Sequence, residues 1–319
     1  MRTDQSTAAA ASAPGVPSYS GEKFGVTVAN EAAFSMEKAM PFKHNFHRHP
    51  LMQLPELEKL ANRLMPKGQC RFIKPGATFA SGFHHDDKPD DGRSLREVFA
   101  RIEEPKSWIA LYNVQTDPLY AGMISDAIGS ARHLIDRQEP GTFMMNGFIF
   151  ISAPPSVTPF HIDREHNFWM QILGQKTMNV WDADDREMVP QKDIERFITY
   201  RTLENVKLRE ESLVSRSLEL VCGPGDGVYF PSTSPHATRC ESSWTSPGDR
   251  VAISMGINFY TPETRKRANV HALNELLRKL GMHPTFPGKS PALDSMKYPF
   301  AKAYVALQKL RGFEPPPGF

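Results

Sequence analysis

The sequence predicts a mainly β domain with helices on both sides of it along the chain. Short apolar runs bounded by turn residues recur between residues 148 and 260, as at 148–151 (FIFI) and 167–173 (NFWMQIL). Stretches with helical spacing of apolar residues stand before and after this region, at 54–65 and 269–280. With 319 residues, the chain has room for one or two domains.

The N-terminal part is expected to hold a disordered tail and then helices and strands that pack on the β region. Residues 1–22 are rich in Ala, Ser, Pro and Gly, and they lack the large apolar side chains that would offset the entropy cost of ordering. Within residues 23–140, the pattern predicts helices at 54–65, 94–102 and 117–135 and strands at 70–73 and 107–114. Asp117 and Pro118 are typical of a helix start, as N-cap and first-turn residue.

Two histidine-rich stretches in this part are interpreted as connections and not as metal sites. His44, His47 and His49 stand in a short polar segment before the first long helix. His84 and His85 are followed by charged and turn-forming residues, which is typical of a solvated loop. A metal site is therefore expected elsewhere, in the β region.

Residues 141–262 are predicted to form the β core, followed by C-terminal helices at 263–312 and a Pro-rich tail at 313–319. Besides the two runs already named, strands are predicted at 176–181, 217–221, 228–230 and 251–260, and helices at 269–280 and 299–310. The charged stretch 182–210 is interpreted as a loop with a helical turn. Gly174 and Gln175 have Gly first, as a type II′ hairpin prefers, so the strand beginning at Lys176 is expected beside strand 167–173.

A candidate metal site is centred on His161 and Asp163, at the end of a predicted strand. Side chains two residues apart on a strand point to the same face, so this imidazole and this carboxylate face the same way. A site of two histidines and one carboxylate needs a second imidazole, and the candidate is His236 in GPGDGVYFPSTSPHATR. Such a set suits non-haem Fe(II) with open coordination positions, and zinc binds the same ligand types.

Lys176 is the candidate partner of an anion. A lysine on an inward face of the β core is costly to bury unless it meets a negative charge. A dicarboxylate that binds the metal at one end would supply that charge at its other end. The sequence therefore predicts an acidic co-substrate between the metal and Lys176.

Two longer patterns surround these candidates. They are T-P-F-H-I-D-x3-N-F-W-x-Q-I-x-G-x-K, and G-D-x-V-Y-F-P-x-x-x-x-H followed by I-N-F-Y. Both resemble the JmjC/cupin-like Fe(II)/2-oxoglutarate-dependent oxygenases, and in particular the asparaginyl hydroxylase that modifies hypoxia-inducible factor. That family has Thr three residues before the first His, Asn six after it and Lys fifteen after it, offsets that Thr158, Asn167 and Lys176 keep. Ser234 and Pro235 stand where the family often has aromatic residues.

The resemblance implies a double-stranded β-helix, or jelly-roll, core and an oxygenase reaction. It implies two groups of site residues, which are the Fe(II) ligands His161, Asp163 and His236, and the 2-oxoglutarate ligands Lys176, Thr158, Asn167 and Asn258. With O2, such an enzyme would hydroxylate a C–H bond of a protein side chain or a small metabolite and release succinate and CO2. Two alternatives stay open: a cupin-like binding or regulatory protein without turnover, and a metal-dependent cupin enzyme that does not use 2-oxoglutarate.

Composition narrows the expected partners and compartment. The net charge is +2 with no long basic block, which argues against binding nucleic acid through its phosphates. Cys70, Cys222 and Cys240 show no C-x-x-C spacing, so a reducing cytoplasm is expected rather than a disulfide framework. No apolar run of about 18 residues and no signal peptide is recognisable, so no membrane anchor is expected. Helix 269–280 is expected either to pack on its own core or to form a homodimer through the C-terminal helices.

Overall fold

The computed structural model describes residues 22–319 with the exception of 74–75, 83–85, 90, 105–106 and 242–249. The expected tail, apart from Glu22, and both His84 and His85 lie outside the described residues. Within the described part, the chain forms twelve β-strands and six α-helices. None of these helices has the length and apolar character needed to cross a membrane.

The strands, in chain order, are β1 (Val26–Thr27), β2 (Met40–His44), β3 (Cys70–Phe72), β4 (Trp108–Leu111), β5 (Phe143–Ser152), β6 (Ser156–His161), β7 (His166–Leu173), β8 (Lys176–Val180), β9 (Leu218–Cys222), β10 (Asp226–Phe230), β11 (His236–Cys240) and β12 (Ala252–Tyr260). The helices are α1 (Leu54–Leu64), α2 (Leu95–Ala100), α3 (Pro118–Asp136), α4 (Gln191–Tyr200), α5 (Pro262–Lys279) and α6 (Pro291–Leu310). All five elements predicted in the N-terminal part are present.

The strands form two antiparallel sheets. The larger sheet has the order β1-β2-β10-β7-β12-β5-β4-β3, and the smaller sheet has the order β6-β11-β8-β9. From β5 to β12, the chain passes between four strands of the larger sheet and the four strands of the smaller one. This strand order is that of a double-stranded β-helix, so the mainly β, jelly-roll prediction is confirmed.

Strand β12 shows how residue alternation builds the two sides of the larger sheet. Ile253, Met255 and Ile257 are buried in the main core, which also contains the apolar faces of α1 and α3. Burying each of these side chains contributes about 1.5–3 kcal/mol. Ser254 and Asn258 alternate with them and line a cavity on the opposite face. The same strand therefore supplies both the core and the candidate site.

The turn at Gly174 and Gln175 does not form the predicted hairpin. Gly174 has a φ of +65°, which suits glycine at the first turn position. However, β7 pairs with β10 and β12, whereas β8 pairs with β9 and β11. The turn carries the chain from the larger sheet to the smaller one, so the prediction that β8 lies beside β7 was wrong.

The stretch 182–210 contains the ten-residue helix α4, which the sequence analysis interpreted only as a loop with a helical turn. Ile194, Phe197 and Ile198 are buried in an apolar cluster on the outer side of the smaller sheet. Charged residues interrupt this apolar spacing in the sequence. One of them, Glu195, is buried against Arg278 of α5, whose Nε lies 2.7 Å from its carboxylate. The ion pair explains how a charged stretch can form a packed helix.

The predicted polar connection before α1 is present at His47 and His49, which lie in short 3-10 turns, but His44 belongs to a strand. His44 is the last residue of β2, and its buried ring has Nε2 3.1 Å from both the Gln171 and Asp226 carbonyl oxygens. Its Nδ1 accepts from the Phe46 N–H at 3.1 Å, so Nε2 carries the proton and donates. Burial lowers the pKa of His44 to about 4. The His44 ring thus links the end of β2 to β7 and to β10.

Both C-terminal helices are longer than predicted. Helix α5 begins at Pro262, seven residues before Asn269, and α6 begins at Pro291, so that Pro299 lies inside it. Thr261 caps α5 by accepting from the Thr264 N–H at 3.1 Å. The sequence-based prediction placed Pro299 at the helix start, where proline is usual, but here proline also occupies the first turn at 291.

Candidate metal centre

The three candidate metal ligands come together at one end of the jelly roll. His161 ends β6 and His236 begins β11, and these two residues stand opposite each other in the pairing of the two strands. Their ring centroids are 4.1 Å apart, and His236 Nε2 lies 3.6 Å from Asp163 Oδ2. One ligand atom from each of the three residues lies within 4.8 Å of the others. The predicted convergence on a common point is therefore present.

Backbone carbonyls orient both rings. His161 Nδ1–H donates to the Pro159 carbonyl oxygen at 2.7 Å, and His236 Nδ1–H donates to the Ser234 carbonyl oxygen at 3.0 Å. Because a carbonyl oxygen only accepts, each Nδ1 carries a proton. A metal would therefore bind to Nε2 of each ring, in the orientation that metal-bound histidines usually have. Ser234 stands where the resembling family often has an aromatic residue, and it orients His236 through its backbone carbonyl.

The two rings are neutral at physiological pH. Burial lowers the pKa of His161 to about 4, and the neighbouring His236 ring contributes to this shift. Burial likewise lowers the pKa of His236 to about 4. Neutral imidazole is the form that binds a metal, so the site needs no deprotonation of these rings near pH 7.

Asp163 is held from two sides. Its backbone carbonyl accepts from the Thr233 N–H at 2.8 Å, and its Oδ2 accepts from Asn167 Nδ2 at 3.5 Å. The carboxylate only accepts, so this contact sets the orientation of the Asn167 amide, whose buried Oδ1 has no hydrogen-bond partner among the described residues. Asn167 thus orients the carboxylate with one N–H of its amide, and the second N–H of Nδ2 could donate to a co-substrate.

The donor set fits a divalent iron ion. Two neutral imidazole nitrogens and one carboxylate oxygen, without sulfur, form one side of the site, and a cavity forms the other. This arrangement leaves coordination positions open for further ligands, as in Fe(II) sites with two histidines and one carboxylate. Zinc would accept the same donors, so the donor set selects the type of site and not a single metal.

The cavity beside the metal ligands has a volume of about 230 Å³. That volume corresponds to roughly seven or eight liquid water molecules, enough for a small ligand. Its wall includes the aromatic side chains of Tyr112, Phe148, Phe150 and Trp169. Hydroxyl groups of Thr158, Thr238 and Ser254 also line it. The cavity thus combines an apolar wall with hydrogen-bonding groups, which is typical of small-molecule sites.

Lys176 is buried at the start of β8, with 2% of its surface exposed. Its Nζ donates to Ser254 Oγ at 3.3 Å. Burial lowers the pKa of Lys176 to about 8. Because Ser254 lines the cavity, an anion in the cavity can approach the ammonium group at this point.

The other predicted co-substrate ligands also lie at the cavity. Thr158 of β6 lines it and stands opposite Thr238 of β11. Asn258 of β12 lines it and stands opposite Asn167 of β7. Both asparagines have a buried Oδ1 without a partner among the described residues. The structure therefore brings every predicted site residue to one region of the jelly roll.

Several cavity residues were missed by the sequence analysis. Ser254 could have been predicted, because it lies four residues before Asn258 and therefore on the same face of β12. Glu165 lies two residues after Asp163, in the turn between β6 and β7, where strand alternation does not apply. Phe148 and Phe150 belong to a predicted strand whose two faces the apolar run could not distinguish. Tyr112 follows β4 in the N-terminal part, and no local pattern connects it to the site.

No protein-family profile and no curated protein matches the chain. Among solved structures, the chain is similar to the ribosomal oxygenase YcfD of Escherichia coli, with 15% identity over 89% of this chain and 68% of that chain and a TM-score of 0.46. A YcfD structure with cobalt and 2-oxoglutarate gives 15% identity, 88% and 68% coverage and a TM-score of 0.46. The DMSP lyase DddQ of Ruegeria pomeroyi DSS-3 has 16% identity over 36% of this chain and 37% of that chain, with a TM-score of 0.21. The fold is therefore assigned from the strand order of this chain, and the proposed chemistry is assigned from its own site residues.

Proposed function

We propose that this chain is an Fe(II)- and 2-oxoglutarate-dependent oxygenase. It hydroxylates a C–H bond of a protein side chain or a small metabolite, and it converts 2-oxoglutarate and O2 into succinate and CO2. The observation that carries the proposal is that His161, Asp163 and His236 meet at a cavity whose wall also includes Ser254, the partner of Lys176. One site thus combines groups for a metal with a group for a dicarboxylate.

Each residue has a distinct role in this proposal. His161, Asp163 and His236 hold the metal, with both rings in the Nδ1-protonated form described above. When bound, iron and 2-oxoglutarate together supply the oxidising chemistry. Lys176 receives the far carboxylate of 2-oxoglutarate, which offsets the cost of burying its ammonium group.

The polar wall would complete the binding of 2-oxoglutarate. The hydroxyl of Ser254 already contacts Lys176 and can donate to the same carboxylate, and Thr158 supplies another donor. Asn258 can offer its amide N–H groups. The aromatic side chains make part of the cavity wall apolar, so they limit which part of the prime substrate enters.

The test is an anaerobic titration with Fe(II) and 2-oxoglutarate, followed by exposure to O2 and a succinate assay. Asp163→Ala is the control, because it removes one metal ligand and leaves Lys176 in place. We expect the wild-type protein to bind both ligands and to release succinate slowly without a prime substrate, and the variant to release none.

The same experiment separates the alternatives. Binding of metal and 2-oxoglutarate without any succinate would indicate a jelly-roll binding protein that keeps the metal. Metal binding that 2-oxoglutarate does not affect would indicate a metal-dependent enzyme in which Lys176 is incidental. Either result would overturn the oxygenase proposal.

We also propose that the chain forms a homodimer, through α6 and not through the apolar side of residues 269–280. Helix α5 contacts both α4 and α6. On its apolar side, Val270 is buried, Leu273, Leu276 and Leu277 are half-buried, and Leu280 at the end is 67% exposed. On α6, by contrast, Met296, Phe300, Leu307 and Leu310 are 70%, 71%, 45% and 86% exposed. With the exposed Ala303, their successive spacings are four, three, four and three residues, as in the seam of a coiled coil.

The α6 stripe, defined as these five residues, is complementary to itself. In an antiparallel pair related by a two-fold axis at Ala303, Phe300 would face Leu307 of the second copy, and Met296 would face Leu310. The small Ala303 would let the two helices approach closely at the axis. A self-complementary patch of this kind is what a two-fold homodimer requires, so we assign the second copy as the partner of this surface.

A further inference from the structure

We propose that the C-terminal segment, residues 313–319, holds the turn that carries Asp163, and that Arg164 and Tyr260 are the positioning residues through which it acts. The inference rests on the proposed metal site. It concerns side chains that the motif around His161 does not include.

The turn at residues 162–165 connects β6 to β7 and has two sides. Asp163 and Glu165 line the cavity, and Arg164 lies between them without lining it. The backbone of the turn is tied to the loop before His236, because the Arg164 carbonyl accepts from Ser232 Oγ at 3.0 Å. The Asp163 carbonyl accepts from the Thr233 N–H of the same loop. The side chains of Arg164 and Glu165 add contacts on the side of the turn that faces the C-terminal segment.

Arg164 is covered by the C-terminal segment. Only 6% of its surface is exposed, and its Nη2 donates to the carbonyl oxygen of Pro317. Its guanidinium carbon lies 5.8 Å from the centre of the Phe319 ring. A buried guanidinium needs acceptors, so the Pro317 carbonyl compensates part of its desolvation cost.

Tyr260 connects the same segment to Glu165. Its hydroxyl donates to Glu165 Oε1 at 2.5 Å. Its ring packs directly on Gly318, where an added Cβ would lie 2.3 Å from Cε1 of the ring. Gly318 also has a φ of +96°, so both the backbone conformation and the close approach require glycine at this position.

The segment itself is anchored on both sides of these contacts. Phe313 packs edge-on against Tyr200 of α4, with ring centroids 6.1 Å apart. Phe319 packs on the apolar cluster outside the smaller sheet, which includes Phe160 and Ile162. These two residues flank His161 in the sequence and face away from the cavity. The segment thus supports the outer side of the strand end whose inner side carries the candidate ligands.

The consequence is that the segment sets the geometry of Asp163 without touching the metal. If it shifts, Arg164 loses its carbonyl partner and Tyr260 loses its packing surface, so the turn gains freedom. Interactions that orient metal ligands commonly change metal affinity about 10- to 100-fold when they are removed. We expect an effect near the lower end, because the Thr233 and Ser232 contacts remain.

Two full-length variants test the inference. Gly318→Ala adds the methyl group that collides with Tyr260, and Tyr260→Phe keeps the ring but removes the hydroxyl that holds Glu165. Gly281→Ala is the matched control, because Gly281 also has a positive φ, of +83°, but has nothing within 4 Å of an added Cβ. It therefore has the same backbone strain without the collision.

The measurement is a Co(II) titration followed by calorimetry and by the visible absorption of the bound cobalt, with thermal unfolding of each apo variant. We expect Co(II) affinity about tenfold lower and an altered cobalt spectrum in Gly318→Ala and Tyr260→Phe, and wild-type values in Gly281→Ala. Wild-type affinity and spectrum in both test variants would overturn the inference alone. Absence of Co(II) binding by the wild-type protein would overturn the metal site and this inference together.

Discussion

Lys176 and Ser254 meet across the two sheets of the jelly roll. Lys176 begins β8 of the smaller sheet and Ser254 lies in β12 of the larger one, and Nζ donates to Oγ at 3.3 Å. Both side chains are buried, so the ammonium group has lost most of its hydration. Burying Lys176 in this position lowers the stability of the ligand-free protein, and a bound anion would offset that cost.

Lys176→Met should therefore stabilise the ligand-free protein and abolish 2-oxoglutarate binding. Burial lowers the pKa of Lys176 from 10.5 to about 8, so the folded state disfavours the charged form. Its removal should raise the free energy of unfolding at pH 7 by on the order of 1–3 kcal/mol. Urea denaturation and 2-oxoglutarate calorimetry measure the two effects. A destabilised variant that still binds 2-oxoglutarate normally would remove Lys176 from this role.

The affinity for 2-oxoglutarate should fall as the pH rises above about 8. Only the protonated Lys176 attracts the carboxylate, and in the ligand-free protein that proton is lost with a pKa of about 8. In the same range, the unfolded chain binds more protons than the folded one, so the cost of burying Lys176 decreases and the stability of the ligand-free protein rises as the pH increases from about 8 to 10.5. Calorimetric titrations from pH 7 to 9.5 would show the effect. A flat profile would contradict it.

Metal affinity, unlike the affinity for 2-oxoglutarate, should change with pH only in the acidic range. The pKa of both His161 and His236 is lowered to about 4, so protons do not compete for these rings near neutrality. We expect Co(II) affinity to be nearly constant from about pH 6 to 8 and to fall below about pH 5, where protonation of the rings begins to compete. Titrations in buffers matched for ionic strength would check this. A steep loss of affinity between pH 7 and 6 would show that a different group controls binding.

Ser254→Ala should weaken 2-oxoglutarate binding and leave metal binding unchanged. The substitution removes a hydroxyl from the cavity wall and the neutral partner of Lys176, and one hydrogen bond of this kind is worth about 1 kcal/mol, or roughly fivefold in affinity. Separate titrations with Co(II) and with 2-oxoglutarate measure the two affinities. Equal losses in both would indicate a general distortion of the site.

Phe300→Lys should convert the proposed dimer into monomers. The substitution places a charge in the centre of the α6 stripe, where Phe300 would pack on Leu307 of the second copy. Met282→Lys is the control, because Met282 is 45% exposed but lies outside α6. Light scattering coupled to gel filtration should give a halved mass for the first variant only. A monomeric wild-type protein would end the dimer proposal.

Much of the candidate site could be predicted from local sequence. The short spacing of His161 and Asp163 indicated a common site, and the offsets of Thr158, Asn167 and Lys176 repeated those of a known family. The structure brings all five to one region. Strand alternation is not what joins His161 and Asp163, however, because β6 ends at His161 and Asp163 lies in the turn that follows.

Other parts of the site could not be predicted because they depend on distant contacts. Tyr112 enters the cavity from the N-terminal part, and Arg164 is covered by residues 313–319. Neither position has a local pattern that indicates its partner. The helix at 191–200 was obscured for a related reason, since the buried Glu195 looks like a surface residue until Arg278 is placed beside it.

The sequence by itself determined the mainly β fold, the start of α3 at Asp117 and the set of residues that could share a metal. Only the tertiary structure decided that β7 and β8 belong to different sheets, so that Lys176 approaches Ser254 across the jelly roll and not a neighbour along a hairpin. The reason is physical: alternation specifies which side chains share a face, but the partner of each strand is chosen by burial over the whole core.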